Sequence, residues 1–212
     1  RDLRMSRGLG DVYKRQARLS EHHGLPVHIH VNETAGEVTA SLQEHGERPV
    51  ARLARLGLLN ERLISVHSVH ASTEDIRMLA EAGASVCHCP SSNLKLASGF
   101  APVAKMMTAG INIGIGTDGS ASNDKLDMLG ETRLAAMLAK AVEGSTTCAK
   151  VFDMLEAATL GGARALHWDD EIGSLEIGKC ADMIAIDLSG VECGPVSNPA
   201  AQLLYLSLIH IS

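Results

Sequence analysis

The chain has 212 residues, 45% of them hydrophobic and 21% charged, with a formal net charge of -6. That is the balance of a globular protein with room for one sizeable core; the acidic excess without any basic stripe argues against nucleic-acid binding, and no apolar run is long enough to span a bilayer. Aromatics make up only 2%, so an aliphatic core is expected, and the five cysteines lack the spacing of a secreted disulfide scaffold.

The first residues, RDLRMSRGLGDVYKRQ, are basic with no apolar segment behind them, so no signal peptide is read and a cytoplasmic location is expected. Residue 1 is not Met, which suggests a piece of a longer protein. Residues 1–16 show no convincing periodicity and are assigned no function. Gln16 to His23 reads as a helix end closed by Gly24. Leu25 to Val31 reads as a strand, with His28 and His30 on one face and Val27, Ile29 and Val31 on the other. Gly36 to Gly46 and Pro49 to Leu56 are short helices.

Leu63 to Val69 is the next strand. Ser72 caps the following helix, with Asp75 at the third helical position and Ile76, Leu79 and Ala80 facing inward. Ala84 to Cys89 is a third strand, ended by Pro90. Ser91 to Gly99 reads as loop and Ala101 to Ala109 as helix. Ile111, Ile113 and Ile115 alternate with Asn112, Gly114 and Gly116 in a fourth strand, which runs into Thr117-Asp118-Gly119 and a polar loop. Met128 to Val142 and Thr147 to Leu160 are helices, interrupted by Gly161-Gly162. After Leu166 the glycine-punctuated stretch from Ile172 to Leu188 reads as short strands of a small β domain, and LLYLSLI near the end as one more strand.

Strand and helix alternating through four units predict an α/β fold with a parallel sheet. Half of an eight-unit barrel and a complete four-stranded doubly wound sheet both fit this pattern.

Three of the four strands end in side chains suited to metal binding or proton transfer: His30 and Glu33 in HIHVNE, His67 in SVHSVH, and Asp118. Parallel strands bring such ends together at one edge of the sheet. Singly each residue has an ordinary explanation, Asp118 as a turn cap, Glu33 as a helix-start carboxylate, His28, His70 and His88 as satisfied strand histidines. Their shared placement favours a site. Imidazole and carboxylate are ligands of catalytic Zn²⁺, and Fe²⁺ or Mn²⁺ accept the same donors. His30 and Asp118 are the expected metal ligands. Glu33 is expected to carry a proton from water to the leaving nitrogen, and His67 to hydrogen-bond the hydroxide or the developing oxyanion. Two ligands are too few for a stable zinc site, which predicts further ligands elsewhere.

Other chemistries are weaker. No phosphate-cradling glycine loop and no serine elbow are present. Cys87-His88-Cys89-Pro90 has the look of a metal cluster, but alternation puts the cysteines on one face and His88 on the other. Both cysteines are read as mostly structural.

These motifs resemble the amidohydrolase superfamily, closely its branch of 5'-methylthioadenosine/S-adenosylhomocysteine deaminases and related chlorohydrolase-like enzymes. HIHVNET resembles the fifth barrel strand, LISVHSVHA the sixth, CHCPSSNLKLASGFAPV the seventh, with Ser92, Asn93 and Leu96 in the expected places, and GIGTDGSASNDKLDMLGE the eighth. IGSLEIGKCADMIAIDL resembles the small β-sandwich that follows. The resemblance implies a partial metal-dependent-hydrolase TIM barrel, strands 5 to 8, over residues 17–166, then part of a β-sandwich over 167–205. Residues 1–16 and 206–212 are unmatched. The His-x-His pair of the family's first strand has no counterpart here. The implied activity is hydrolytic deamination of an adenosine-type nucleoside by a metal-activated water, one zinc per site, with a small-molecule substrate, no nucleic-acid or membrane partner, and a homo-oligomeric state. Guanine, cytosine and triazine aminohydrolases or chlorohydrolases share the same logic, and a catalytically silent half-barrel is the rival expectation for these residues alone.

Overall fold

A computed structural model describes residues 4–190 and 193–206. Its centre is one parallel sheet of four strands in the order β1 (Val27–Val31), β2 (Leu63–His67), β3 (Ser85–His88) and β4 (Asn112–Ile115). The register sets Val31 beside His67, Val66 beside Cys87, and His88 beside Ile115, so all four strands finish along one edge. β2 is buried at every position, as a strand covered on both faces must be. β1 alternates, with His28 and His30 on its open face and Val31 in the core.

Helices α2 (Ala35–His45), α3 (Pro49–Arg55), α4 (Thr73–Glu81) and α6 (Val103–Thr108) connect the strands, and α7 (Met128–Glu143) and α8 (Val151–Ala158) follow the last one. α4 begins as its sequence requires. The Ser72 hydroxyl accepts from the Asp75 N–H at 3.1 Å, while the Asp75 carboxylate accepts from the Ser72 N–H at 2.8 Å. Leu63, Leu79, Val86, Val103, Met106 and Met154 pack into one aliphatic core between sheet and helices. This incomplete parallel sheet with its helices is consistent with part of a TIM barrel.

Five local expectations are corrected. The first helix, α1 (Arg4–His23), begins well before Gln16; Tyr13, Ala17 and Ser20 lie one turn apart and face the core, and the Arg52 guanidinium stacks 5.4 Å from the Tyr13 ring. The stretch after Pro90 is not a loop but a short helix, α5 (Pro90–Lys95): proline at the first helical position both ends the strand and starts the helix. Gly161-Gly162 does not interrupt a helix but lies inside α9 (Leu160–Leu166). There the absence of a side chain lets α9 press on β4, since a Cβ on Gly161 would stand 2.2 Å from the Ile113 carbonyl oxygen.

The expected β-sandwich is not formed by the described residues, which contain no strand after Ile115. Ile177, Met183 and Ile184 stand largely exposed there, because a strand needs a hydrogen-bonded neighbour and none lies beside them. The described part of the LLYLSLI run is helical, α10 (Pro199–Tyr205). Asn198 caps it by accepting from the Ala201 N–H at 3.1 Å, Pro199 sits at its first position, and those start signals outweigh a short apolar run. Residues 207–209 of that run lie outside the described residues.

Candidate metal centre

The strand ends are built on unusual backbone. Asn32, one residue past β1, has φ 54°, His67 has φ 70°, and Asp118, three residues past β4, has φ 61°. Left-handed conformations are uncommon for residues other than glycine and gather where structure serves a site. Each is tied down locally. The Glu37 carboxylate accepts from the N–H groups of Asn32 (3.0 Å) and Glu33 (2.7 Å), which fixes the turn carrying Glu33. The buried Asp75 carboxylate accepts from Asn32 Nδ2 at 3.3 Å and from Arg48 Nε at 2.8 Å, and Arg48 also donates to the His70 carbonyl at 2.7 Å, clamping the turn after β2.

One donor atom each from His30, His67 and Asp118 lies within 4.8 Å of the others. His67 Nε2 is 3.8 Å from Asp118 Oδ2 and 3.9 Å from Glu33 Oε2. The His30 and His67 rings meet edge to face, centroids 4.8 Å apart. His67 is fully buried, and its Nε2 has no hydrogen-bond partner. A buried nitrogen without a partner costs free energy unless something occupies the position it faces. Two imidazoles and a carboxylate converging on that point fit a divalent metal ion.

α5 holds this arrangement from behind. Ser92 Oγ donates to Asp118 Oδ2 at 2.6 Å, and Asn93 Oδ1 lies 2.8 Å from His67 Nδ1. Ser122 Oγ (2.9 Å) and the Gly119 N–H (2.7 Å) also donate to Asp118. Burial raises the Asp118 pKa, but these hydrogen bonds outweigh it and hold the carboxyl down at about 2, from an ordinary 3.8. The buried Glu131 carboxylate of α7 accepts from the Ser91 N–H (3.1 Å) and from Asn123 Nδ2 (2.7 Å), joining α5 to the loop after Asp118.

An open groove of about 710 Å³ runs past His30, Thr117 and Asp118 and is walled by His28, Cys87 and Cys89. Cys87 is the more acidic thiol, brought down to about 5 first by its hydrogen bond with Cys89 and then by His28; Cys89 is pushed up by the same bond and by burial. His88, on the opposite face of β3, is lowered to about 4 by burial first, with the neighbouring His67 ring adding to it.

The four residues expected at the site, Glu33, His30, His67 and Asp118, therefore meet at the sheet edge. His67 offers a donor atom to the same cluster as the two expected ligands, whereas its expected part is to hydrogen-bond the hydroxide or the developing oxyanion. His70 is outside the cluster and bonds the Ser98 carbonyl oxygen at 2.7 Å. Ser92 and Asn93 match the seventh-strand motif by sequence, but a loop over 91–99 gives neither a contact with Asp118 or His67. The signal that locates them is proline at a strand end followed by Ser-Ser-Asn, the start of a helix aimed at the sheet edge.

Residues 11–207 match the model of the amidohydrolase family. The chain is 47% identical over 184 residues to a 5-methylthioadenosine/S-adenosylhomocysteine deaminase of Teredinibacter turnerae, covering 87% of this chain and 42% of that protein. Among solved structures, a zinc-bound adenosine deaminase from Xanthomonas campestris superposes with a TM-score of 0.91 at 49% identity, over 93% of this chain and 45% of that one. An atrazine chlorohydrolase from Arthrobacter aurescens complexed with zinc gives 0.88 at 30% identity, over 94% and 44%. The chain spans less than half the length of each of these relatives. The match across nearly its whole length, on a sheet edge where His30, His67 and Asp118 converge, places the chain in the amidohydrolase family.

Proposed function

We propose that these residues form the metal-binding and proton-transfer half of a zinc-dependent aminohydrolase that converts an adenosine-type nucleoside, 5'-methylthioadenosine or S-adenosylhomocysteine, to its inosine-type product and ammonia. The observation that carries this reading is the meeting of Glu33, the unpartnered His67 Nε2 and Asp118 within 3.9 Å at the head of an open groove. The names of the deaminase relatives support the substrate class, and the zinc-bound structure supports zinc over iron or manganese.

His30 and Asp118, with His67 beside them, would hold the ion. When bound, it supplies Lewis acidity, which brings the ionisation of a water towards neutral pH. Asp118 stays ionised because Ser92, Ser122 and the Gly119 N–H all donate to it. Glu33 accepts the proton released by the attacking water and passes it to the purine ring nitrogen, and a second transfer lets the amine leave as ammonia. Water adds one oxygen and ammonia carries away the nitrogen, so no oxidant or phosphate donor is needed. Asn93 fixes the His67 ring so that Nε2 faces the ion's position, next to both carboxylates.

The test places residues 11–207 in the corresponding segment of the Teredinibacter turnerae relative and follows ammonia release. Release from 5'-methylthioadenosine, lost on Glu33→Gln, is expected. A folded, zinc-loaded chimera that leaves every purine amine intact but dechlorinates a triazine assigns the chlorohydrolase chemistry instead.

A second reading applies to the 212 residues by themselves. β1 and β4 each have a single neighbour in the sheet, and open edges favour pairing with another chain. The isolated chain would then self-associate and be catalytically silent, which size-exclusion chromatography and the same ammonia assay read directly.

A further inference from the structure

Cys87 on β3 and Cys89, one residue past its end, line the groove wall. Cys87 and Cys89 are two residues apart, so strand alternation sets both on the face opposite His88. Their sulfurs lie 3.9 Å apart, and neither is in a disulfide. A covalent bond would require about 2.05 Å. Two thiolates on one tetrahedral zinc, at the usual Zn–S distance of about 2.3 Å, stand about 3.8 Å apart. The pair is spaced for a bridging ion.

A Cβ on Gly116 would come 2.7 Å from Cys87 Sγ and 3.2 Å from Cys89 Sγ, so the bare Gly116 backbone packs against both sulfurs on that side and the groove is the side from which an ion reaches them. His28 lines the same cavity and adds an imidazole within the wall. None of these three side chains belongs to the His30, His67 and Asp118 cluster.

We propose that Cys87 and Cys89 form a second metal site, a dithiolate that takes a soft, thiophilic divalent cation such as Cd²⁺, with water completing its coordination. Binding releases to solvent whatever thiol protons the pair still carries and forms two metal–sulfur bonds, with no change of oxidation state. An ion seated there lies in the groove beside His30 and Asp118, and thiophilic cations would therefore obstruct the groove without displacing the metal centre. The site stands on its own geometry, whatever reaction the groove serves.

The experiment titrates the full 212-residue chain with Cd²⁺ and reads the ultraviolet band that arises only when thiolate sulfur binds cadmium. A band that saturates at one cadmium, is lost in both Cys87→Ser and Cys89→Ser, and persists in His30→Ala and Cys180→Ser is expected. Persistence of the full band in the Cys87→Ser/Cys89→Ser double variant overturns the proposal, as does its absence in the folded wild-type chain. Should a serine variant unfold, alkylation of the wild type decides: Cd²⁺ slows iodoacetamide labelling of Cys87 by at least ~10-fold while the exposed Cys180 reacts as before. Equal labelling of Cys87 with and without cadmium contradicts the site.

Discussion

Asn93 sets which nitrogen of His67 faces the site. Its side-chain oxygen lies 2.8 Å from His67 Nδ1, and an amide oxygen only accepts, so the ring hydrogen of neutral His67 sits on Nδ1. Nε2 is left with its lone pair directed to the point between Glu33 and Asp118. Asn93→Ala frees the ring to turn. Zinc affinity, measured by calorimetry in a Cys87→Ser/Cys89→Ser background, is expected to fall about 10–100-fold, the usual cost of losing the partner that orients a metal-binding histidine. Unchanged affinity in a folded variant would remove Asn93 from this role.

Asp118 ties the site to stability at low pH. Its folded pKa, about 2, lies below the ordinary 3.8, so the folded state binds the proton less readily than the unfolded state does. The stabilisation is fully present above 3.8 and is lost as pH falls towards about 2. Urea denaturation of the metal-free chain is expected to show wild type and Asp118→Asn converging over that interval. A gap that stays constant with pH would contradict the assignment.

His88 acts over a higher window. The buried ring protonates at about 4 in the folded chain and at 6.5 when unfolded. Its folded pKa is depressed, so the advantage it gives the folded state exists above pH 6.5 and is lost as pH falls from 6.5 to about 4. His88→Leu, similar in volume, should flatten the stability profile across that interval. An unchanged slope would mean that the ring gains a proton without opening the structure.

Neighbouring glycines in α9 are expected to respond oppositely. Alanine at Gly161 places a methyl group 2.2 Å from the Ile113 carbonyl oxygen and 3.2 Å from the Glu156 carbonyl oxygen, whereas a Cβ at Gly162 meets nothing within 4 Å. Gly161→Ala should cost about 1–3 kcal/mol by overpacking. Gly162→Ala should be neutral or stabilising by up to about 1 kcal/mol, because alanine is the better helix former. Chemical denaturation of the two variants separates them, and equal effects would contradict the close approach of α9 to β4.

The strands and the residues at their ends were legible because period-two alternation and histidine or carboxylate at a strand's end are local signals. The capping box at Ser72 and Asp75 was legible for the same reason. What escaped depended on tertiary context. Gly161 reads as a helix breaker until β4 is seen pressing on it, and the strand-forming residues around Ile184 need a neighbour that their own sequence cannot supply. α5 escapes a reading in which Pro90 only ends a strand, and with it escape the contacts of Ser92 with Asp118 and of Asn93 with His67. The His67 tautomer depends on Asn93, 26 residues away, and no spacing rule links the two.

Whether His30, His67 and Asp118 hold one ion together is read by native mass spectrometry of the zinc-titrated chain in the Cys87→Ser/Cys89→Ser background, where only nitrogen and oxygen donors remain in the groove. One zinc per chain is expected, lost in His30→Ala and in Asp118→Asn under the same conditions. Zinc retained at the same stoichiometry in both variants would contradict a metal centre at these residues.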